Sequence, residues 1–174
     1  MLGRSLPYLT LVLLAGCAAP IETRITSSGL TDPAAQPYMF NMEVPGSQEA
    51  ASARRLVESR LADHGYSEVK NGPLLLEVTL DSRDASLALG TAAGSDNLSV
   101  AKKRKALQNC KDREYRLGIT LTRIADGAVQ YQSRIAEYHC KMSLAEALPD
   151  MVKAGLTDLG QPRGSYTRHR IGRE

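Results

Sequence analysis

Two long alternating segments joined by a tight turn constrain this chain most. In both Glu114–Ile124 and Val129–His139, apolar residues alternate with polar ones. The turn between them contains Asp126-Gly127, a dipeptide that favours a two-stranded hairpin. One apolar face and one polar face are typical of an antiparallel sheet packed on one side only. The sequence therefore predicts that a hairpin forms the centre of an antiparallel sheet.

Other periodic segments predict two more strands and a helix. The strands are Tyr38–Met42 and Leu74–Asp81, where apolar residues again alternate with polar ones. The helix begins after Ser47, a favourable N-cap, and ends near His64, because Gly65 accepts the left-handed conformation that often closes a helix. A strand, a helix and a strand in this order favour a parallel crossover connection.

A second helix is predicted after the hairpin. Ser143 and Glu146 have the spacing of a capping box. Pro149 breaks the helical pattern, so we expect either a kink or a helix that properly starts near Leu148. Together these elements predict an α+β domain over residues 37–160, with two layers: a mostly antiparallel sheet and two helices packed on one of its faces.

Two segments lack a clean period. Within the connector formed by residues 83–109, the small and polar stretch Ala85–Ser99 predicts a mobile loop or an irregular hairpin. The tail, residues 161–174, is basic and is expected to be disordered. The connector also contains a run of basic residues. We interpret this run as a solvated surface; the alternative is contact with anionic lipid head groups or other envelope acids. The run consists of Lys102, Lys103, Arg104 and Lys105.

The N-terminus has the pattern of an export signal. Arg4 precedes the short apolar run Leu6–Leu14, which is too short to span a bilayer as a helix. The run ends in Leu14-Ala15-Gly16-Cys17, which resembles the lipobox of bacterial lipoproteins. This resemblance implies that residues 1–16 are removed as a signal peptide. It also implies that fatty acids such as palmitate are attached to Cys17.

The residues after the anchor predict its surroundings. Residues 17–36 contain Thr, Ser, Gly, Pro and Ala without a sustained period, so we expect a lipidated tether. An ordered strand at Ile21–Thr26 is the alternative. In enterobacterial lipoproteins an Asp after the lipidated Cys favours the inner membrane. Because Ala18 stands there instead, the resemblance implies the inner leaflet of the outer membrane, with the domain facing the periplasm.

If the chain is exported, the two remaining cysteines can form a disulfide. Cys110 and Cys140 flank the hairpin, and an oxidising compartment lets such a pair close into a disulfide. A metal site made of these cysteines and His139 is the alternative. It is disfavoured because adjacent residues on a strand face opposite ways. We predict the disulfide and no metal site.

Composition and motifs give no indication of catalysis. The net charge of +3 is too small to favour nucleic acid, and aromatic residues make up 5% of the chain. Neither a nucleophile motif nor a phosphate-binding glycine loop is present, and Gly94-Ser95 lacks the flanking pattern of a nucleophile elbow. Glu77 and Asp81 could form a paired acid and base, but a solvated sheet face explains them better. The sequence therefore predicts no enzyme, no catalytic residues and no cofactor.

The element order resembles that of an uncharacterised family of small bacterial periplasmic lipoproteins. The similarity rests on Tyr115-Arg116-Leu117, on the turn at Asp126-Gly127 and on the segment Leu144–Pro149. It implies a non-catalytic interaction or accessory module in the cell envelope, with an unidentified envelope protein as partner. The alternative is a carrier of a small ligand or a lipid, with small residues such as Ala50, Ala53 and Gly155 opening a cavity between helices and sheet.

Overall fold

A computed structural model describes residues 20–41, 46–87, 89–91, 94–99, 101–103 and 108–171 of the chain. Eight strands and two helices lie within these ranges. In chain order they are β1 (Ile21–Gly29), β2 (Tyr38–Phe40), α1 (Gln48–Asp63), β3 (Leu74–Asp84), β4 (Leu89–Thr91), β5 (Gly94–Ser99), β6 (Arg113–Arg123), β7 (Val129–His139), α2 (Leu144–Leu156) and β8 (Gly164–Arg170).

Six of the described strands form one sheet in the order β2-β3-β6-β7-β1-β8. β2 runs parallel to β3, as the strand–helix–strand order predicted, and the other neighbours pair antiparallel. The hairpin of β6 and β7 lies at the centre, and Gly127 in its turn has a φ of 71°, a conformation that glycine adopts at little cost. The predicted α+β class and mostly antiparallel sheet are confirmed.

One face of the sheet carries the apolar core, and both helices pack on it. α1 contributes Ala53, Val57 and Leu61, each buried against the sheet. Most core side chains of the sheet come from alternate positions of β3, β6 and β7, as the period of two requires. They are Leu74, Leu76, Tyr115, Leu117, Ile119, Leu121, Tyr131 and Ile135. The opposite side of the sheet, here called the open face, carries neither described helix.

Helix α2 begins where its cap predicts. The Ser143 hydroxyl accepts a hydrogen bond from the Glu146 amide, and the Glu146 carboxylate accepts one from the Ser143 amide, so the capping box is complete. The helix continues through Pro149 to Leu156. It therefore starts at Leu144, and the alternative start near Leu148 is wrong. The capping box satisfies the first backbone amides of the helix. Pro149 follows in the second turn and does not end the helix. None of the helices in the described ranges is both long and apolar enough to cross a membrane.

The predicted tether is wrong over Ile21–Gly29, which forms strand β1 between β7 and β8. The alternative, an ordered strand at Ile21–Thr26, is confirmed. The signal was weak because two of the inward positions are Thr23 and Ser27, which are polar yet buried. Each hydroxyl is satisfied inside the protein: Thr23 donates to Glu137 at 2.5 Å and Ser27 donates to Asp158 at 2.8 Å. A strand with satisfied polar residues on its buried face lacks the apolar alternation that sequence patterns detect.

The predicted disordered tail is also wrong over Gly164–Arg170, which forms the edge strand β8; residues 172–174 lie outside the described residues. Most of its side chains are exposed, so hydrophobic alternation cannot reveal it. Its position depends on backbone pairing with β1 and on a few long side chains. The Arg170 side chain lies on the core face of the sheet, where it pairs with Glu137 at 2.9 Å and with Asp150 at 3.0 Å.

Candidate functional site

The open face forms a groove of about 920 Å³, which we call the open-face groove. It is lined by residues of five neighbouring strands, from β3 through β6, β7 and β1 to β8. At a strand spacing of about 4.8 Å the groove extends about 19 Å across the sheet. Its charged lining residues are Arg24, Asp81, Glu114, Arg116 and Arg134.

The strand register places three arginines around two small residues. Ala136 on β7 lies opposite Arg116 on β6 and opposite Arg24 on β1, so an arginine flanks it on each side. Two residues along β7, Arg134 lies opposite Gly118. Side chains at these positions share the open face, because residues two apart on a strand point the same way. The three arginines therefore surround a floor of Ala136 and Gly118, an arrangement we call the arginine basin.

Gly118 keeps this floor low. A Cβ atom at this position would collide with the hydroxyl oxygen of Thr79 on the neighbouring strand. Glycine is therefore the residue that leaves Thr79 undisturbed. The floor is a consequence of the strand register and of two small residues.

Glu114 lies at one end of the groove and pairs with two arginines of the basin and with Arg83. Its side chain is 1% exposed and forms ion pairs with Arg24, Arg83 and Arg116, the last at 2.9 Å. Burial raises the pKa of the Glu114 carboxyl, but hydrogen bonds from Arg24 and Arg83 and the charge of Arg116 outweigh burial. The pKa therefore lies below its ordinary value. The buried, ionised Glu114 carboxylate therefore holds together the guanidinium groups of Arg24, Arg83 and Arg116.

The arginines keep hydrogen-bonding capacity beyond Glu114. Arg24 Nε is buried and has no acceptor among the described residues. Arg134 is exposed and makes no ion pair within the described part of the chain. A guanidinium group carries five N–H donors, and those left over are suited to planar anionic groups such as carboxylates.

The basic run begins beside the arginine basin. Lys102 Nζ lies 4.8 Å from the centre of the Tyr138 ring, and Arg24 Cζ lies 4.5 Å from the same centre. Lys102 also pairs with Asp112 at 3.1 Å, while Lys103 is exposed. The other two predicted contact residues, Arg104 and Lys105, lie outside the described residues. Contact of this run with an anionic surface stays a prediction.

The predicted disulfide is present. Cys110 and Cys140 are bonded, with their Cα atoms 5.6 Å apart. The last pair of the hairpin ladder is Arg113 with His139, so the bridge forms just beyond the ladder, at the end of the hairpin where Glu114 lies. Because the disulfide uses both thiols, neither can ligate a metal ion, and the metal alternative is wrong. The other predicted modification site, Cys17, lies outside the described residues.

The described part of the connector contains a short hairpin. Leu89–Thr91 and Gly94–Ser99 pair antiparallel with two shifts of register, as expected for the irregular hairpin that was one of the two predictions. Two backbone hydrogen bonds fasten the ends of the connector together: Ala85 donates to Asp112, and Lys102 donates to Ala85. The disulfide and these bonds hold Lys102 at the Glu114 end of the groove.

A second buried carboxylate lies on the core face. Glu137 accepts hydrogen bonds from Thr23 at 2.5 Å and Arg170 at 2.9 Å, and its other contact is His139 at 2.8 Å. Burial raises the pKa of the Glu137 carboxyl, but the hydrogen bonds from His139, Arg170 and Thr23 outweigh burial and lower it overall. This network connects three strands and shows that buried charges are paired on both faces of the sheet.

These two carboxyl groups make stability depend on pH. A carboxyl whose pKa is lower in the folded state stabilises the fold above its ordinary pKa, and this stabilisation is lost as the pH falls through the folded value. We expect the free energy of unfolding to change little from pH 7 to pH 5. Below the ordinary value of 4.5 it should fall steeply. Urea unfolding across this range measures the effect, and a flat profile down to pH 3 would contradict it.

The structure disfavours two other hypotheses from the sequence: the acid–base pair of Glu77 and Asp81, and a cavity opened by Gly155. Glu77 and Asp81 share the open face but lie four residues apart on β3, or about 13 Å, which is too far for a shared proton. At Gly155, an added Cβ would lie 2.6 Å from Ile135 Cδ1, so α2 and the sheet are in contact there. This glycine does not open the gap that the carrier hypothesis expected.

Comparisons with known proteins inform the fold. No family model matches the chain, and no curated protein matches its sequence. A PDZ domain protein from Parabacteroides distasonis is similar in structure, with a TM-score of 0.56 and 12% identity over 86% of this chain. The chain spans 39% of the length of that protein. The PelC dodecamer from Paraburkholderia phytofirmans is similar with a TM-score of 0.50 and 10% identity, over 81% of this chain and 99% of that one. At these identities the likeness concerns the fold alone.

Proposed function

We propose that the chain is a non-catalytic interaction module of the bacterial cell envelope, held at the outer membrane by lipid on Cys17, and that the open-face groove is its binding surface. The observation that carries the proposal is the groove itself, in which the buried Glu114 holds Arg24 and Arg116 beside the exposed Arg134 on one face of the sheet. A surface of this kind is suited to recognition, because its charged groups are positioned before a partner arrives.

The chemistry of the groove favours binding over catalysis. Glu114 is held ionised by the arginines around it, which suits a structural anion rather than a general acid. Asp81 lies opposite Arg116 on the neighbouring strand. The rest of the polar lining is mostly hydroxyl and amide groups, which donate and accept hydrogen bonds without moving a proton to substrate. These residues are Thr26, Thr79, Thr120, Gln132, Ser165 and Thr167.

The anchor is tested by Cys17→Ser. Several acyl chains on one residue give effectively permanent membrane attachment, and removal of the thiol prevents their addition. We expect the wild-type chain to fractionate with outer-membrane markers and the variant to remain uncleaved or to move to the soluble fraction. Membrane fractionation with mass measurement distinguishes these outcomes. A variant that stays in membranes and matures to the wild-type mass would refute the anchor.

The binding surface is tested by pull-down from crosslinked membranes. Arg134→Glu reverses an exposed charge in the groove, whereas Arg60→Glu makes the same change on α1, away from the open face. We expect the first variant to lose the envelope protein that the wild-type chain captures and the second to keep it. Equal capture by both variants would show that the groove is not the binding surface.

A further inference from the structure

We infer that the open-face groove binds an extended, acidic segment of a partner protein, with carboxylate side chains seated in the arginine basin. This inference rests on the proposed function and names the chemistry of the partner. The strongest support is the charge at the centre of the groove, where Arg24, Arg116 and Arg134 surround the neutral floor of Ala136 and Gly118.

The balance of charge favours an anionic ligand. Three arginines line the groove against the carboxylates of Asp81 and Glu114, and Glu114 is buried beneath its partners. A ligand that enters the groove therefore meets guanidinium groups before it meets that carboxylate. Lys102, near the Glu114 end of the groove, is paired with Asp112, so the excess positive charge comes from the arginines.

The unused donors favour carboxylates in particular. The Arg24 Nε is buried without an acceptor among the described residues, and Arg116 directs its Nε and one terminal nitrogen at Glu114, which leaves its other terminal nitrogen for a ligand. Arg134 contributes a complete guanidinium group from the opposite side of the floor. Carboxylates accept paired hydrogen bonds from such groups at short distance.

The length of the groove favours an extended chain over a small ion. A span of about 19 Å accommodates about six residues of extended polypeptide. Away from the arginine basin the lining offers hydroxyl and amide groups, which can hydrogen-bond the backbone of a peptide. Tyr166 is the single aromatic residue that lines the described groove, so stacking on rings, which sugars and bases favour, contributes little.

The test is peptide binding by the full chain purified in a nonionic detergent. The probes are a short fluorescent peptide of alternating Glu and Ser, a matching peptide of Lys and Ser, and inorganic phosphate as competitor. We expect the acidic peptide to bind, the basic peptide not to bind, and added salt to weaken binding. Phosphate should compete poorly, because it cannot occupy the length of the groove.

Variants locate the binding. Arg134→Gln should weaken the acidic peptide about tenfold or more, because it removes charge-assisted hydrogen bonds. It is also expected to fold normally, since Arg134 is exposed and makes no ion pair in the described part of the chain. Ala136→Glu should abolish binding by placing a carboxylate of the chain itself between Arg24 and Arg116. The matched control, Arg60→Gln on α1, should bind like the wild-type chain.

Three results would overturn the inference: equal binding of acidic and basic peptides, wild-type affinity in Arg134→Gln, or phosphate competing as well as the peptide. The last result would mean that the basin recognises anions rather than an acidic chain. If Arg134→Glu still loses the envelope partner in membranes while the acidic peptide fails to bind, this inference falls and the proposed function stands.

Discussion

Glu114→Gln is expected to lower the free energy of unfolding by about 3 kcal/mol, because removing one partner of a buried ionic cluster leaves the others uncompensated. Gln has nearly the same shape as Glu, so the change creates no cavity. It removes the negative charge that Arg24, Arg83 and Arg116 share. Urea unfolding at pH 7 measures the loss, and circular dichroism checks that the fold is retained.

Glu77→Gln is the matched control for this prediction. Glu77 lies on the same face of the sheet but is exposed and has no ion pair in the described ranges. Its replacement should change stability by less than about 0.5 kcal/mol. If the two variants lose stability equally, Glu114 does not organise the arginines. The Glu114 variant should also weaken binding of the acidic peptide, since the basin loses its support.

Replacing both Cys110 and Cys140 with Ser is expected to destabilise the protein by roughly 3 to 4 kcal/mol in the chain-entropy model. The two residues are 30 positions apart, and the bridge restricts the unfolded chain over this distance. It also fastens the connector beside Glu114. Thermal unfolding should therefore show a lower melting temperature for the double variant. Hydrogen exchange should show the largest loss of protection around Lys102.

Reduction provides the control for the disulfide. A reductant should lower the melting temperature of the wild-type chain to about that of the double variant, and it should leave the variant unchanged. Maleimide labelling of the oxidised, denatured wild-type chain should leave both Cys110 and Cys140 unmodified. Complete labelling of both thiols would show that the bridge does not form in the protein as produced.

The central part of the fold could be predicted because its signals are local. The hairpin, the capping box at Ser143 and the strand Leu74–Asp81 each have a period or a cap within a few residues. The observed strand β3 extends to Asp84, three residues beyond the prediction, because its outer end pairs with the polar start of β6. Local patterns locate an element better than they locate its ends.

The two strands at the far side of the sheet have signals that are not local, so β1 was only the alternative to a tether and β8 was expected to be disordered. β1 buries Thr23 and Ser27, whose partners Glu137 and Asp158 are distant in sequence. β8 is an exposed edge that depends on β1 for its backbone partners. Without β1 in place, a basic segment with one face in solvent has no feature that separates it from a disordered tail.

The candidate site was predictable only in part, for the same reason. Alternation alone places Arg116 and Arg134 on the polar face of the hairpin, but the residues that lie opposite them also depend on a register shift between Leu121 and Thr122. The third arginine, Arg24, belongs to the segment predicted to be a tether, so the basin could not be recognised. The burial of Glu114 also follows from long-range pairing, since Arg24 and Arg83 come from two other strands.

The most direct test of the open face as the binding surface is site-specific photocrosslinking in living cells. A photoreactive amino acid replaces Thr167 on the open face in one variant and Arg55 on α1 in another; both positions are exposed. We expect one discrete crosslinked protein from position 167 that disappears when Arg134→Glu is added, and none from position 55. Crosslinking from position 55 with none from position 167 would contradict this expectation.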